Sequence, residues 1–214
     1  MTYTTVLFDL DGTILDTNDL IISSMLHALK QFFPEGQHTR EEIIPHMGKT
    51  LNDIMAHYAP DKVDELTKVY REYNLSKHDE LVQAFPHVKE VLEELKHLGV
   101  KMGIVTTKQR LTTEMGLKLC QIDSYFDTVV TLQDVTQPKP HPEPVLKAMS
   151  DLGALAPKTL MVGDSRFDIE AAQRAGVDSA GVAWSLKGEK YLQSFSPTYM
   201  LHSIKDLLPI VQRT

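Results

Sequence analysis

Two carboxylates stand two residues apart at the end of a short apolar run near the start of the chain. The run "VLF" leads directly into Asp9, and Asp11 and Gly12 follow within "DLDGT". An ionised carboxylate inside a protein is costly unless a cation or a hydrogen-bond donor offsets its charge. The stretch therefore indicates a site at which these carboxylates meet a positively charged partner.

Three further segments end in polar residues that could complete such a site. The run "VKMGIVTT" ends in Thr106 and Thr107, and the loop "QPKPHP" carries Lys139. The run "TLMVGD" ends in Asp164, and Asp168 follows four residues later. Carboxylates, hydroxyls and a fixed cation in one place predict binding of Mg²⁺ and a phosphate group, because Mg²⁺ takes a few carboxylate oxygens and bridges to phosphate.

The types of these residues suit catalysis of phosphoryl transfer. A carboxylate beside a metal ion can attack phosphorus and form an aspartyl-phosphate, and this is the role that we predict for Asp9. Asp11 projects to the same side of an extended chain, so it can pass a proton to the leaving oxygen and later accept one from water. Thr106 and Lys139 are expected to hold the transferring group and stabilise its charge. The predicted metal ligands are Asp9, Asp11, Asp164 and Asp168.

Alternating strand-like and helical patterns must position these residues. Short apolar runs at 4–10, 100–107, 128–132, 159–164 and 179–184 predict strands, and helical spacing predicts helices over 87–99, 109–120, 143–153 and 166–176. Strands that alternate with helices favour a parallel sheet covered on both faces, which is a doubly wound, Rossmann-like α/β fold. In such sheets ligands bind beyond the carboxyl ends of the strands, where the polar residues fall.

The segment from 18 to 83 breaks this alternation, because it is helical by pattern and offers no convincing strand. We expect residues 16–85 to form an inserted helical cap and residues 1–15 and 86–214 to form the α/β core. In the cap, Lys49 lies on the glycine-bearing loop "HMGKTL" and Arg71 lies in "VYREYN". Either cation could reach the substrate or could be a solvated surface charge. The candidate substrate-binding residues are Gly12, Thr13, Thr107, Lys49 and Arg71.

The composition of the chain limits the classes of function. The 214 residues are 42% hydrophobic and 24% charged, with a formal net charge of −7, which argues against nucleic-acid binding as the main role. No apolar run approaches the roughly 18 residues of a membrane span. Cys120 is the single cysteine of the sequence, so no intrachain disulfide is possible and a reducing cytoplasm is expected. Oligomeric state is not encoded in any pattern that we recognise.

The order and spacing of the motifs resemble those of the haloacid dehalogenase superfamily. Its four motifs match "DLDGT", "GIVTT", "KPHP" and "GDSRFDI" in this sequence. The resemblance implies a Mg²⁺-dependent phosphatase or phosphomutase, because Asp9 is followed by a second aspartate at position 11. It also implies that the helical insertion covers the site. "FPHV" stands where the segment returning from the cap often reads Pro-Gly-Val, so the resemblance does not predict the conformation of this turn.

Across its whole length the chain is similar to bacillar members of this superfamily that hydrolyse inorganic pyrophosphate. This similarity implies pyrophosphate as the small phosphorylated substrate. Phosphoglycolate phosphatases and β-phosphoglucomutase-like enzymes share every core motif and remain alternatives, and a catalytically silent regulatory binder is disfavoured by the intact set of aspartates and lysine. Asp168 has a second interpretation, since an acid at this position of a helix could cap it, with Ser165 as the N-cap residue.

Overall fold

A parallel β-sheet forms the centre of the computed structural model, which describes residues 2–212. The strands are β1 (Thr5–Phe8), β2 (Leu15–Asp16), β3 (Gln83–Ala84), β4 (Lys101–Val105), β5 (Thr128–Val130), β6 (Thr159–Gly163), β7 (Asp178–Val182) and β8 (Tyr199–Leu201). Six of them form one sheet in the order β5-β4-β1-β6-β7-β8, and every neighbouring pair is parallel.

Helices cover both faces of this sheet. The helices of the chain are α1 (Asn18–Phe32), α2 (Arg40–Ile43), α3 (Leu51–Tyr58), α4 (Val63–Leu81), α5 (Val88–His97), α6 (Arg110–Leu119), α7 (Glu143–Leu152), α8 (Arg166–Ala175), α9 (Glu189–Gln193) and α10 (Leu207–Gln212). Side chains of β1 alternate between two cores: Val6 and Phe8 pack with α5, α6 and α10, and Leu7 packs with α7 and α8. The doubly wound α/β fold expected from the sequence is therefore confirmed.

The helices α1 to α4 pack around a hydrophobic core of their own. Met25 and Leu29 of α1, Met55 of α3 and Leu66 of α4 are fully buried in it. The chain leaves and re-enters the sheet domain side by side, because β2 and β3 pair in antiparallel fashion, with Leu15 opposite Ala84. This arrangement agrees with a cap over residues 16–85, and the boundary itself stays a prediction.

Three short strands, β2, β3 and β8, differ from the sequence-based expectation. The expectation that residues 18–83 contain no strand is wrong at Gln83, which pairs with Asp16. Strands of two or three residues are too short to show an alternating pattern, so the sequence gives no periodic signal for them. The β2–β3 ladder holds the two connections to the cap side by side, near the end of β1.

The return segment "FPHV" has the backbone conformation that glycine usually adopts. His87 has a φ of 67°, in the left-handed region, and it is the N-cap residue of α5. Its ring Nδ1 lies 3.1 Å from Oε2 of Glu90 on the first turn of that helix. The turn therefore forms without glycine, and left-handed backbone at a residue with a Cβ is costly.

No helix within residues 2–212 combines the length and the apolar character that a bilayer crossing requires.

Candidate active site

The carboxyl ends of three adjacent strands bring the predicted residues together. Asp9 directly follows β1, Thr106 follows β4 and Asp164 follows β6, and β1 lies between the other two in the sheet. Backbone hydrogen bonds extend the sheet past the strand ends, since the amide of Asp9 donates to the carbonyl of Val162 at 2.8 Å. The backbone at Asp9 is therefore held against β6 at the point where the site residues begin.

Lys139 is the central cation of this edge. Its side chain is 3% exposed, and its Nζ donates to Oδ1 of Asp9 at 2.7 Å and to Oδ1 of Asp168 at 2.6 Å. A third hydrogen bond, 2.8 Å long, goes to the carbonyl oxygen of Val105 at the end of β4. The lysine thus links β1, β4 and α8, although it enters from a loop far along the chain.

Three carboxylates surround this lysine and could hold a metal ion. One oxygen from each of Asp9, Asp164 and Asp168 lies within 4.8 Å of the others. Three buried carboxylates with one lysine in direct contact leave an excess of negative charge, which a divalent cation would offset. Carboxylate oxygens are the donors that hard cations such as Mg²⁺ prefer. The residues present therefore fit a hard divalent cation.

Burial governs the ionisation of these groups. The pKa of Asp9 is raised to about 7, first by burial and also by the charge of Asp168, while Lys139 opposes the shift. The pKa of Asp164 is also raised well above its usual range, first by burial and then by the charges of Asp9 and Asp168. Burial alone lowers the pKa of Lys139, but the two neighbouring carboxylates more than offset it. The lysine consequently stays charged.

Asp11 lies apart from the acidic group. Its Oδ1 accepts hydrogen bonds from Thr17 Oγ1 at 2.7 Å and from Lys108 Nζ at 2.8 Å. Thr17 is the N-cap residue of α1, the first helix of the cap. The carboxylate that we expected to exchange protons with the substrate is therefore held at the junction between the sheet domain and the cap.

Asp168 takes part in both of the interactions considered for it. Its Oδ2 accepts from the backbone amide of Ser165 at 3.0 Å and from the Ser165 hydroxyl at 2.6 Å, so it completes a capping box at the start of α8. Its other oxygen bonds Lys139 and contributes to the acidic group. The helix cap and the site thus share one buried side chain.

Gly12 and Thr13 form the turn after β1 and pack beside the carboxylates of Asp164 and Asp9. Gly12 has a φ of 79°, and a Cβ placed there would lie 2.6 Å from Oδ2 of Asp164. Thr13 is fully buried, and its hydroxyl is 3.5 Å from Oδ2 of Asp9. Only glycine allows the turn after β1 to pass this close to the carboxylate that follows β6.

A cavity of about 290 Å³ lies between the cap and the sheet edge. Of the eleven residues predicted from the sequence, eight line it: Asp9, Asp11, Lys49, Arg71, Thr106, Thr107, Lys139 and Asp164. The other three, Gly12, Thr13 and Asp168, are buried beside it. The sheet supplies the charged floor, and the cap supplies both of its predicted cations to the opposite wall.

The two predicted cap cations differ in their surroundings. Lys49 Nζ lies 3.3 Å from Nδ1 of His46 on the same loop, which leaves the lysine half-buried. Arg71 is exposed on α4 and forms no hydrogen bond or ion pair with the residues between 2 and 212. Lys49 is therefore the better ordered of the two.

Two lysines that sequence reasoning missed also belong to this region. Lys108 lines the cavity, and Lys187 Nζ donates to the carbonyl oxygen of Met47 at 2.6 Å, which fastens the cap loop to the sheet domain. Gly48, next on that loop, comes so close that a Cβ there would lie 3.0 Å from the Phe167 ring. Both lysines follow the carboxyl ends of strands, at "TTK" and "WSLK", and that position is the signal that could have identified them.

Comparison with known proteins agrees with this geometry. The family model described as haloacid dehalogenase-like hydrolase matches residues 6–182. The pyrophosphatase PpaX of Bacillus cereus is 50% identical over 211 residues, which span 99% of this chain and 97% of that protein. A haloacid dehalogenase-like hydrolase of Streptococcus pneumoniae superposes with a TM-score of 0.87 at 25% identity, over 99% of each chain. A predicted phosphoglycolate phosphatase of Haemophilus somnus gives a TM-score of 0.85 at 25% identity, also over 99% of each.

Proposed function

The chain belongs to the haloacid dehalogenase-like hydrolase family, and we propose that it hydrolyses inorganic pyrophosphate to two phosphate ions. The observation that carries the reaction type is the contact of Lys139 with Asp9 and Asp168 at the floor of a cavity that the cap covers. The choice of pyrophosphate is supported by the 50% identity with a pyrophosphatase over nearly the whole chain.

Asp9 is proposed as the nucleophile. One of its oxygens attacks the nearer phosphorus while the bond to the bridging oxygen breaks, which leaves a phosphoryl group on the carboxylate and releases the first phosphate. Water then attacks the phosphorus of the aspartyl-phosphate, the bond between phosphorus and the Asp9 oxygen breaks, and the second phosphate leaves while Asp11 accepts the proton that the water loses. Lys139 holds the Asp9 carboxylate in place and offsets the charge that develops on the transferring group.

Thr106 is proposed to donate its hydroxyl to the transferring group. The backbone amide of Lys108 donates to Oγ1 of Thr106 at 3.1 Å, so that oxygen already has a donor and its own proton is available. The substrate-binding set is completed, as predictions, by Thr107, Gly12, Thr13, Lys49 and Arg71. Asp11 is proposed to supply the proton that the departing phosphate needs.

Mg²⁺ is proposed as the cofactor, held by the carboxylates of Asp9, Asp164 and Asp168, and when bound it would offset the negative charge of the phosphates. The role of Asp11 as a further ligand stays a prediction, because its carboxylate bonds Thr17 and Lys108. Asp9 and Asp164 would bind the ion in ionised form, which reverses the effect of burial on their pKa values. A small phosphorylated substrate and a cytoplasmic location complete the proposal.

The test is phosphate release from a panel of substrates. Pyrophosphate, phosphoglycolate, glucose 1-phosphate and p-nitrophenyl phosphate are compared with Mg²⁺ present and with excess EDTA. We expect the highest kcat/KM for pyrophosphate and no turnover in EDTA. A preference for phosphoglycolate or the sugar phosphate would refute pyrophosphate as the substrate and would still agree with the proposed reaction type.

The nucleophile is tested with Asp9→Asn, since an amide does not attack phosphorus. We expect the variant to keep its fold and to lose turnover of every substrate by several orders of magnitude. Absence of turnover in the unmodified protein as well, together with tight substrate binding, would favour the regulatory binder instead.

A further inference from the structure

We propose that Lys108 binds the leaving phosphate of pyrophosphate. When the Lys108 ammonium group moves from Asp11 to this phosphate, the carboxyl group of Asp11 becomes free to turn toward the reacting group. The inference rests on the proposed function and identifies a residue that determines its specificity. Pyrophosphate has a second phosphate, the leaving group, and Lys108 would bind it from the sheet domain while the cap faces it from the other side of the cavity.

The backbone of Lys108 is held by two hydrogen bonds, whereas its side chain is held by one contact within the described part of the chain. Its amide donates to Thr106 Oγ1, and its carbonyl accepts from the amide of Leu132 at 3.1 Å. Its Nζ has one acceptor among residues 2–212, Oδ1 of Asp11, at 2.8 Å. The side chain is 12% exposed and lines the cavity. The ammonium group can therefore turn into the cavity without disturbing the strand end from which it projects.

Two other lysines of this region, Lys139 and Lys187, already have acceptors that a substrate would not replace. Lys139 bonds two carboxylates and a carbonyl at the floor. Lys187 bonds the carbonyl of Met47, where it joins cap and sheet. Lys108 instead bonds a carboxylate that must itself move, so a phosphate can exchange for Asp11 at little cost in lost hydrogen bonds.

The chemistry of pyrophosphate requires that both events occur together. When the bond between phosphorus and the bridging oxygen breaks, the electron pair goes to that oxygen, and an unprotonated leaving group would depart as the strongly basic trianion. A proton that Asp11 carries on its other oxygen, Oδ2, converts it to hydrogen phosphate, and the water that later hydrolyses the aspartyl-phosphate returns a proton to Asp11. The incoming phosphate carries several negative charges and attracts the ammonium of Lys108 away from Asp11, so arrival of the leaving group also releases the acid that protonates it.

The restraint on Asp11 in the present arrangement comes from two directions. Thr17 at the start of the cap and Lys108 at the end of β4 both donate to the same oxygen, Oδ1. With Lys108 moved to the phosphate, Thr17 alone remains, and a single hydroxyl bond does not fix a carboxylate rotamer. The side chain is then free to turn toward the bridging oxygen.

The experiment compares Lys108→Met, which keeps the length of the side chain and removes its charge, with Lys108→Arg, which keeps the charge. Lys89→Met is the control, because Lys89 is exposed and its Nζ bonds, among residues 2–212, only Gln121 at 3.3 Å. kcat and KM are measured for pyrophosphate and for p-nitrophenyl phosphate, which has no second phosphate and an aryl oxide leaving group that needs no proton. Imidodiphosphate, with two phosphates, and orthovanadate, with one anionic centre, are titrated as inhibitors of p-nitrophenyl phosphate hydrolysis.

For Lys108→Met we expect kcat/KM for pyrophosphate to fall about 10- to 100-fold, the effect of one charge-assisted hydrogen bond. The inhibition constant of imidodiphosphate should rise by a similar factor. p-Nitrophenyl phosphate hydrolysis and orthovanadate inhibition should change less than about threefold, and Lys108→Arg should recover part of the pyrophosphate activity. The Lys89→Met control should match the unmodified protein in kinetics and in thermal unfolding, and Lys108→Met should stay folded at the assay temperature although it loses the ion pair with Asp11.

Three outcomes would overturn the inference. Equal losses with both substrates would make Lys108 a structural support. An unchanged imidodiphosphate constant would place the second phosphate elsewhere, and faster pyrophosphate turnover in Lys108→Met would make the lysine only a restraint on Asp11. If the unmodified protein does not hydrolyse pyrophosphate, the proposed function fails, and the two inhibitors still report on the subsite.

Discussion

Replacing Lys139 with Met gives the sharpest physical test of the buried site. Methionine has a similar length and no charge, so the variant removes three hydrogen bonds and the cation that lies against Asp9 and Asp168. Breaking a buried ion pair by removing one partner costs about 3–5 kcal/mol. In EDTA these two carboxylates have no other cation in contact within the described part of the chain, and the folded variant must then bind a proton in place of the lost charge.

The cost of that proton sets both the size and the pH dependence of the effect. An unfolded aspartate has a pKa of 3.8, so protonating one costs about 4 kcal/mol at pH 7 and about 2 kcal/mol at pH 5. We therefore expect Lys139→Met to lower the free energy of unfolding by about 4 kcal/mol at pH 7 and by about half of that at pH 5. The penalty shrinks on acidification because protons become easier to bind.

Urea denaturation in EDTA, followed by circular dichroism at both pH values, measures these losses. Lys147→Met is the control, because Lys147 forms an exposed ion pair with Asp151 at 3.5 Å, and such pairs contribute about 0–1 kcal/mol. A loss for Lys139→Met that does not change with pH, or one no larger than the control, would refute the electrostatic account of the site.

Three other predictions concern the metal-free protein and the cap. In EDTA the free energy of unfolding should fall as pH rises from about 4 to about 7, because the raised pKa of Asp9 lets the folded protein retain a proton that the unfolded chain has lost. Asp9→Asn, measured in parallel, should show a shallower decline with pH. Equal slopes would contradict the assignment of the retained proton to Asp9. Gly48→Ala should lower kcat/KM for pyrophosphate and p-nitrophenyl phosphate alike by roughly tenfold, since a φ of 91° is strained for alanine and a Cβ 3.0 Å from Phe167 would push the loop or the ring aside. Stability loss with unchanged kinetics would show that this contact does not affect closure. Lys49→Ala should lower kcat/KM for pyrophosphate about 10- to 100-fold and that for p-nitrophenyl phosphate much less, because only pyrophosphate has a second phosphate near the cap; equal losses would assign Lys49 to closure or folding.

The sequence by itself determined the sheet and which polar residues meet at its edge. Short apolar runs and the helical spacing between them predict β1, β4, β5, β6 and β7, since burial on both faces demands such runs. The polar residues that follow these runs must then meet at one edge of a parallel sheet. For this reason Asp9, Thr106 and Asp164 could be assigned to one site before their distances were known.

The tertiary structure alone decided which partner each of these groups has. Lys108 and Asp11 are 97 positions apart, and Lys187 and Met47 are 140 positions apart, yet each pair is joined by one hydrogen bond. Local patterns encode which face of an element is buried, and they carry no information on how far a cap tilts over a sheet edge. That tilt follows from the packing of α1 to α4 and from the β2–β3 ladder, so the orientation of Asp11 and the contact of the cap loop with Lys187 exist only in the folded chain.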